Sequence, residues 1–364
     1  MKKNTNFYAI VPAGGVGSRL WPLSRAGAPK FLQDLTGDGQ SLLQATWDRL
    51  EKLADDRIVL VTGTKHEKAV REQLTKLKDS NLILESEQKD SAAAIGLATA
   101  IIYKRNPHAI VGSFAADHVI KKQTLFKKAV KQAIDIAMKD YIVTLGIAPT
   151  FPSTGFGYIK KARKFRGIDA AYHVEEFVEK PDLSQAEQYL ASGRYRWNAG
   201  MFVAQAKTML ESFERNNKEL YDGLMEIAQA WDTPEQNKVL AKIWPTLPKI
   251  AIDYVIAEPE AKNGNVAMIA GRFDWDDVGD FDSLTRLNEK GNNATILGDP
   301  KRVIAEETNG IIVPRSQRMI TTYGLEDIVI VDTDDALLVT TREHAQEVKS
   351  IVNALTDHGL ERYL

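Results

Sequence analysis

Residues 10–35 read IVPAGGVGSRLWPLSRAGAPKFLQDL. An apolar run passes into a loop with glycines at 14, 15 and 17. Arg19 follows at once, and Lys30 ends a second loop behind Pro29. This stretch decides the fold, because a strand that runs into glycines and then cations has the form of a sheet strand meeting an anion. Glycine lets backbone N–H groups wrap an anion with no Cβ in the way. Ligands of open α/β sheets bind at the carboxyl ends of strands. Two known phosphate loops are excluded. No Gly-Lys-Ser/Thr follows at the required spacing, and Leu20 stands where a dinucleotide fingerprint has its third glycine, with Pro22 blocking an early helix. A purely structural turn is the alternative reading of a lone glycine loop.

Outward from this loop, short apolar runs alternate with stretches of helical period. Strands are expected over 7–13, 57–63, 81–87 and 141–149, a strand running into a loop over 109–120, and helices over 41–53, 66–77, 91–105 and 123–139. The alternation predicts an α/β protein with a Rossmann-like, mostly parallel (mixed) sheet flanked by helices on both faces. The strands run apolar without alternation, which is the pattern of burial on both sides. From 150 the pattern loosens. TGFGYIKKA and AYHVEEFVEKP read as strands or hairpin pieces, 184–193 and 206–231 as helices, and 265–281 returns to the sheet. From about 293, short strands separated by turn signals suggest a small C-terminal β addition, closed by an amphipathic helix over 342–356. The expected division is a large domain, 1–290, and a small β domain, 291–364.

The bulk numbers agree with a soluble globular chain: 364 residues, 44% hydrophobic and 26% charged. A formal charge of −2 argues against a general nucleic-acid binder. Without cysteine there are no disulfides, no thiolate chemistry and no cysteine-built metal sites. The N-terminal MKKNTNFYAIVPAGG lacks a signal-peptide core, and no apolar run approaches the roughly 18 residues of a membrane span. A cytoplasmic protein with no membrane partner is expected.

The extension GGVGSRLWPLSRAGAPKFL sets Arg19 and Lys30 on a path that Pro22 and Pro29 stiffen by fixing φ. It resembles the signature of the nucleotide-diphospho-sugar pyrophosphorylases, or sugar-1-phosphate nucleotidylyltransferases. Its RLWPLSR variant resembles the mannose-1-phosphate guanylyltransferases among them. AADHVI (115–120), TGFGYI (154–159), FVEKP (177–181), WNAGMF (197–202), AIDYVIAE (251–258) and WDDVG (275–279) resemble further motifs in the family's order. There are departures. Ala115-Ala116-Asp117-His118 stands where Pro-Ala-Asp-His is common, KDSAAA (89–94) where Arg-Asn-Thr-Ala-Pro-Ala is, and Ala251-Ile252-Asp253-Tyr254 where Ser-Ile-Asp-Tyr is. The second lies near the region that reads the base.

The resemblance implies a reaction of GTP with mannose 1-phosphate, giving GDP-mannose and pyrophosphate, with Mg²⁺ as cofactor and a homodimer as the assembly. It also implies the nucleotide-diphospho-sugar transferase fold with a short β-helix-like C-terminal domain. The nucleophile is already an anion, so no base is needed. The obstacle is repulsion, about 4 kcal/mol for one pair of unit charges 4 Å apart at an effective dielectric of 20. Catalysis is therefore positioning and neutralisation. By resemblance, Ala13, Gly14, Gly15, Gly17, Glu85, Ser91 and Ala92 bind nucleotide. Arg19 covers the leaving phosphates with a planar fork, and Lys30 reaches the α-phosphate. Asp117 and Asp277 hold the metal through hard oxygens; Asp276 on an extended strand faces the other way.

On the sugar side, Gly157 and Tyr158 form a turn that closes over the sugar, and Glu179 accepts from its hydroxyls. Lys180 holds its phosphate, with Asp253 beside it, and Asn198 both donates and accepts. The duller readings are a surface ion pair for Arg19, a solvated Lys30, turn caps for the two aspartates, an edge-strand pair for Glu179 and Lys180, and packing for Trp197-Asn198. His118 reads as structural. Another hexose- or heptose-1-phosphate nucleotidylyltransferase is the near alternative and a non-catalytic regulatory homologue the far one. The glycine pattern and Pro22 speak against an oxidoreductase.

Overall fold

A computed structural model describes residues 6–289 and 291–364. Lys290, on which the expected domain boundary falls, and residues 1–5 of the charged N-terminal stretch lie outside the described residues. Packing divides the chain into two compact units. One comprises residues up to Gly14, Trp47–Ala116 and Ile120–Trp275; the other comprises Gly15–Thr46, Asp117–Val119 and Asp276–Leu364. This grouping differs from a cut at 290/291, since the glycine-loop extension goes with the C-terminal strands.

The first unit is built on a nine-stranded sheet. Its strands are β1 (Phe7–Ala13), β2 (Ile58–Gly63), β3 (Leu82–Glu85), β4 (Ile110–Ser113), β5 (Ile142–Ile147), β6 (Tyr158–Lys164), β7 (Ala171–Val178), β8 (Tyr195–Gln205) and β9 (Val266–Ala270). The order is β3-β2-β1-β4-β8-β5-β9-β7-β6. β1 pairs parallel with β2 and β4, in register Val11↔Leu60 and Tyr8↔Val111. β8 enters antiparallel between β4 and β5, so the sheet is mixed. In the stretch over 109–120, expected as a strand running into a loop, the strand β4 ends at Ser113. The chain nevertheless keeps following β1: Phe114 N–H donates to Ile10 O (2.9 Å) and Ala116 N–H to Pro12 O (3.2 Å).

Helices α1 (Leu42–Ala54), α2 (Glu67–Gln73), α3 (Asp90–Arg105), α4 (Gln123–Ala137) and α5 (Leu183–Ser192) follow the strands in the predicted order, with α2 ending at Gln73, short of the expected 66–77. α3 is apolar on nearly all sides and is buried from Ala92 to Ile102. A Cβ on its Gly96 would meet Leu224 Cδ1 at 2.5 Å, so glycine allows the close approach. The single helix expected over 206–231 is two, α6 (Ala206–Asn216) and α7 (Lys218–Ala230). Asn217 breaks it, because its side chain caps the second helix by accepting from Leu220 N–H (3.1 Å), a role asparagine fills better than a helix interior. Helix α8 (Gln236–Ile243) was not legible in the periodicity.

In the second unit, α10 (Phe281–Asn288) precedes two small sheets; α9 (Glu258–Lys262) belongs to the first unit. β10 (Thr295–Ile296), β12 (Gly310–Pro314) and β14 (Ile328–Asp332) run parallel, and β15 (Leu337–Thr341) is antiparallel to β14. β11 (Val303–Glu306) and β13 (Ile320–Tyr323) form the other sheet, also parallel. The chain alternates between the sheets, which makes a short coil of parallel strands, and α11 (Val348–Asp357) closes it. Ile312, Ile328 and Ile330 fill its interior with Val303, Ala305 and Ile320 of the other sheet, while Ile311, Val313, Val329 and Val331, on the opposite face of the larger sheet, share a second core with Leu20, Trp21, Leu23 and Leu35. Among the described residues no helix is long and apolar enough to cross a membrane.

Gly310 has φ +107°, and a Cβ there would meet Ile328 O at 2.1 Å. Both the left-handed φ and the close strand demand glycine. Gly310→Ala is expected to destabilise the protein by about 2 kcal/mol or more, read as a lowered Tm in a thermal melt.

Candidate active site

The glycine loop turns at Gly17, which has φ +77°, and Ser18–Leu20 make one tight helical turn. The loop is closed on itself: Lys30 N–H donates to Val16 O (3.3 Å), and the Ser24 hydroxyl donates to the same carbonyl. Gly17 lies on the Lys30 side chain, since a Cβ there would sit 3.0 Å from Lys30 Cγ and Cδ. The glycine thus makes room for the lysine stem as well as for an anion. Lys30 is only 9% exposed. Its ammonium contacts Asp117 Oδ2 at 2.7 Å and donates to the backbone carbonyl of Asp277 at 2.8 Å.

Burial pulls the Lys30 ammonium down, but Asp117 and then Asp277 outweigh it and hold the group above its ordinary range. For Asp117, burial pushes up, and Lys30 with His118 more than reverses it, so the carboxyl stays below the usual range. Asp277 goes the other way: burial raises it, Lys30 opposes, and repulsion from Asp117 adds to the rise. Asp276, raised to about 6 by burial, spends Oδ1 on the Val278 N–H (2.7 Å). Val278 is buried with φ +48°, a left-handed conformation that costs a β-branched residue strain. Its place in the apolar core and the Asp276 contact hold it there.

Two carboxylates that repel each other beside one ammonium are a donor set for a hard divalent cation. Gly279 leaves room for one of them: a Cβ there would be 3.2 Å from Asp277 Oδ2. Among the described residues no group of three or more metal-binding side chains exists. The pair would therefore hold a cation only together with ligand oxygens and water.

A second polar cluster lies in the first unit. Glu179 Oε1 pairs with Lys180 Nζ at 3.1 Å; the glutamate side chain is 8% exposed and the lysine 58%. Glu179 Oε2 is buried with no hydrogen-bond partner among the described residues. It occupies the space that a Cβ on Gly157 would take, at 2.4 Å. Lys180 sits at φ +47°. Asn198 Nδ2 donates to Asp253 Oδ1 (2.8 Å), and Asn198 N–H donates to Gly157 O (2.8 Å). Asp253 is pushed up to about 7 by burial and then by the Glu179 charge. It begins a π-helical turn, Asp253–Ala257, that runs into α9.

The structure alters several expected roles. Tyr158 is not in a turn but opens β6; it is fully buried, and its hydroxyl donates to Ser153 O (3.0 Å). Its side chain is a packing group. The Asn198 carbonyl is already taken by the Thr144 hydroxyl (2.9 Å) and Gly200 N–H (3.1 Å), which leaves only amide hydrogen for a ligand. The Ala92 N–H is spent on Ile250 O (3.2 Å), and the Ser91 hydroxyl accepts from Ile252 N–H (2.9 Å). Ala13 is buried, with its carbonyl accepting from Thr62 Oγ1 (2.7 Å); the Gly14 carbonyl accepts from the Gln88 side chain. Glu85, at the end of β3, lies 3.9 Å from where a Gly14 Cβ would be, and burial pushes it up to about 7. Gly15 is exposed. Lys30, Asp117 and Asp277 come together; Arg19 is exposed and makes no hydrogen bond or ion pair with other described residues. Sequence reasoning missed Thr144 and Gln88, which carry no local motif: Thr144 gains its role by pairing of neighbouring strands, and Gln88 by the return of the loop after β3 to Gly14.

The family model described as Nucleotidyl transferase matches residues 8–293. The chain belongs to the nucleotidyl transferase family. A second model, the MannoseP isomerase/GMP-like beta-helix domain, matches residues 301–355 of this nucleotidyl transferase. It is 35% identical over 364 residues to the mannose-1-phosphate guanylyltransferase of Escherichia coli (strain K12), covering 98% of this chain and 74% of that one. The mannose-1-phosphate guanylyltransferase RfbM of Salmonella typhimurium is 36% identical, with the same coverage. A crystal structure described as mannose-1-phosphate geranyltransferase from Thermus thermophilus superposes with a TM-score of 0.85 at 31% identity, covering 96% of this chain and 99% of that one.

Two stability measurements test the charge balance. Lys30→Met removes the counter-charge of Asp117. The wild-type gain from a depressed carboxyl is present above the unfolded pKa, so the Tm deficit of the variant should be larger at about pH 8 than at about pH 4. Millimolar Mg²⁺ should narrow it. Asp253 has the opposite sign: its folded pKa is raised, so it costs stability as pH rises from 3.8 through about 7. Asp253→Asn should therefore gain Tm relative to wild type over that interval.

Proposed function

We propose that this nucleotidyl transferase moves GMP from GTP to α-D-mannose 1-phosphate, releasing pyrophosphate and GDP-mannose. One observation carries the reading: the Lys30 ammonium is held against Asp117 and the Asp277 backbone, with a second carboxylate close by. The guanylyl and mannose assignments are supported by relatives of that name aligned over nearly the whole chain.

A sugar-phosphate oxygen attacks the α-phosphorus in line, and the bond to the bridging oxygen of the β-phosphate breaks. The nucleophile carries no proton at its attacking oxygen, so the protein need not remove one. Lys30 stands for the cation at the α-phosphate, already desolvated and pre-oriented by Asp117. Arg19, exposed and without a partner of its own among the described residues, is free to fork onto the leaving phosphates. Asp117 and Asp277 would hold Mg²⁺, which supplies further neutralisation of phosphate charge when bound. Lys180, more than half exposed, takes the sugar phosphate. The unpartnered Glu179 Oε2 and Asp253 accept from sugar hydroxyls.

A pyrophosphate-release assay crossing GTP, ATP, UTP and dTTP with mannose 1-phosphate and glucose 1-phosphate, with and without Mg²⁺, tests this. Turnover is expected with GTP and mannose 1-phosphate and to depend on the metal. Asp117→Asn should cost about 100-fold in kcat. Silence with every pair from folded protein would favour the regulatory alternative, and a different preferred pair would move the substrate assignment.

A further inference from the structure

Arg19 and Lys30 share one loop, and residues far from both hold that loop from outside. Arg25 lies on the stretch between them. Its Nε donates to Pro22 O (3.1 Å), and its backbone N–H and C=O exchange hydrogen bonds with Ala28 (3.1 and 3.0 Å). The outer face of its guanidinium is engaged by the turn between β14 and β15. Nη1 donates to Asp335 Oδ2 (2.8 Å), and Nη2 donates to Asp335 Oδ1 (2.6 Å) and to Thr333 Oγ1 (3.2 Å). That turn is itself stiff, since the Thr333 hydroxyl also contacts Asp335 Oδ1 (3.1 Å) and Ala336 O (2.9 Å). A second tether comes from Trp21, whose indole N–H donates to Tyr363 O (2.7 Å).

The loop's apolar side chains, Leu20, Trp21 and Leu23, already lie in an apolar core with Ile311, Val313, Val329 and Val331 of the larger β-coil sheet. Hydrophobic contact is non-directional and leaves rotation of a loop poorly determined. A forked guanidinium–carboxylate pair sets both distance and direction. Groups that bind phosphate need positions fixed to within about 0.5 Å. We propose that Asp335 and Thr333 are positioning residues for the nucleotide: through Arg25, aided by the Trp21–Tyr363 tether, they set the loop that carries Arg19 and Lys30, and with it the affinity for GTP. The nucleotide part of this inference rests on the function proposed above; the tethering part does not.

The test compares wild type with Asp335→Ala, Arg25→Ala, the exchange R25D/D335R and Trp21→Phe. Hydrogen–deuterium exchange is read over residues 16–30, alongside KM for GTP, kcat and Tm. For Asp335→Ala, exchange over 16–30 should quicken and KM for GTP should rise about fivefold, the scale of one exposed forked ion pair. kcat and Tm should change little, because the pair is partly exposed. Trp21→Phe should act in the same direction, and R25D/D335R should recover KM. Unchanged exchange over 16–30 in Asp335→Ala, or a lowered Tm with unaltered KM, overturns the proposal. A wild-type protein that turns over no GTP would instead sink the functional reading, and the exchange data would then decide the tether alone.

Discussion

An ammonium buried beside carboxylates is the constraint on which the site depends. Lys30 has lost most of its water, and isolated it would tend to give up its proton. Asp117 prevents that, and Lys30 in turn keeps Asp117 ionised. Each charge is tolerable only because the other is there. The Asp277 carboxylate is the member left over: it feels Asp117 as a repulsive neighbour, and Lys30 gives its hydrogen bond to the Asp277 backbone. The cluster therefore sets two carboxylates next to one fixed ammonium.

The same logic recurs in the other unit with different parts. Glu179 and Asp253 are buried acids, each pushed up first by burial, with Glu258 and Asp90 adding to the rise at Glu179 and Glu179 to that at Asp253, and one half-exposed ammonium, Lys180, serves both. Strained backbone accompanies both clusters. Lys180 and Val278 adopt left-handed φ values that cost of order 1–3 kcal/mol each. Each directly follows a carboxylate of its cluster, so the strain sits where an acidic side chain must be aimed. Packing around them supplies the compensation: Val278 is fully buried in the core of its unit.

The β coil also gains a meaning beyond closing the chain. One face of its larger sheet, through Ile311, Val313, Val329 and Val331, packs with Leu20, Trp21, Leu23 and Leu35, which come from the segment following the glycines. The loop that follows the glycines is therefore anchored by apolar contacts and by Arg25 with Asp335. A loop of glycines and prolines with only single helical turns of its own is held in this way, with Arg19 left exposed.

Much of the architecture was legible locally. β1, β2, β5, α1 and α4 lie within a residue or two of where their periodicity places them, because apolar runs and amphipathic spacing depend only on near neighbours. The glycine pattern and the motif order were enough to suggest the chemistry. Pairing and packing decided what remained. No local pattern announces that β8 lies antiparallel between β4 and β5, because that place is set by which strand edges are open. No local pattern shows that Tyr158 is a packing group, that the Asn198 carbonyl is spent on Thr144 and Gly200, or that Lys30 meets the distant Asp117. Residue type determined which charges this protein carries; the fold alone determined which of them stand in contact, because Coulomb and hydrogen-bond energies depend on distance in space and not along the chain.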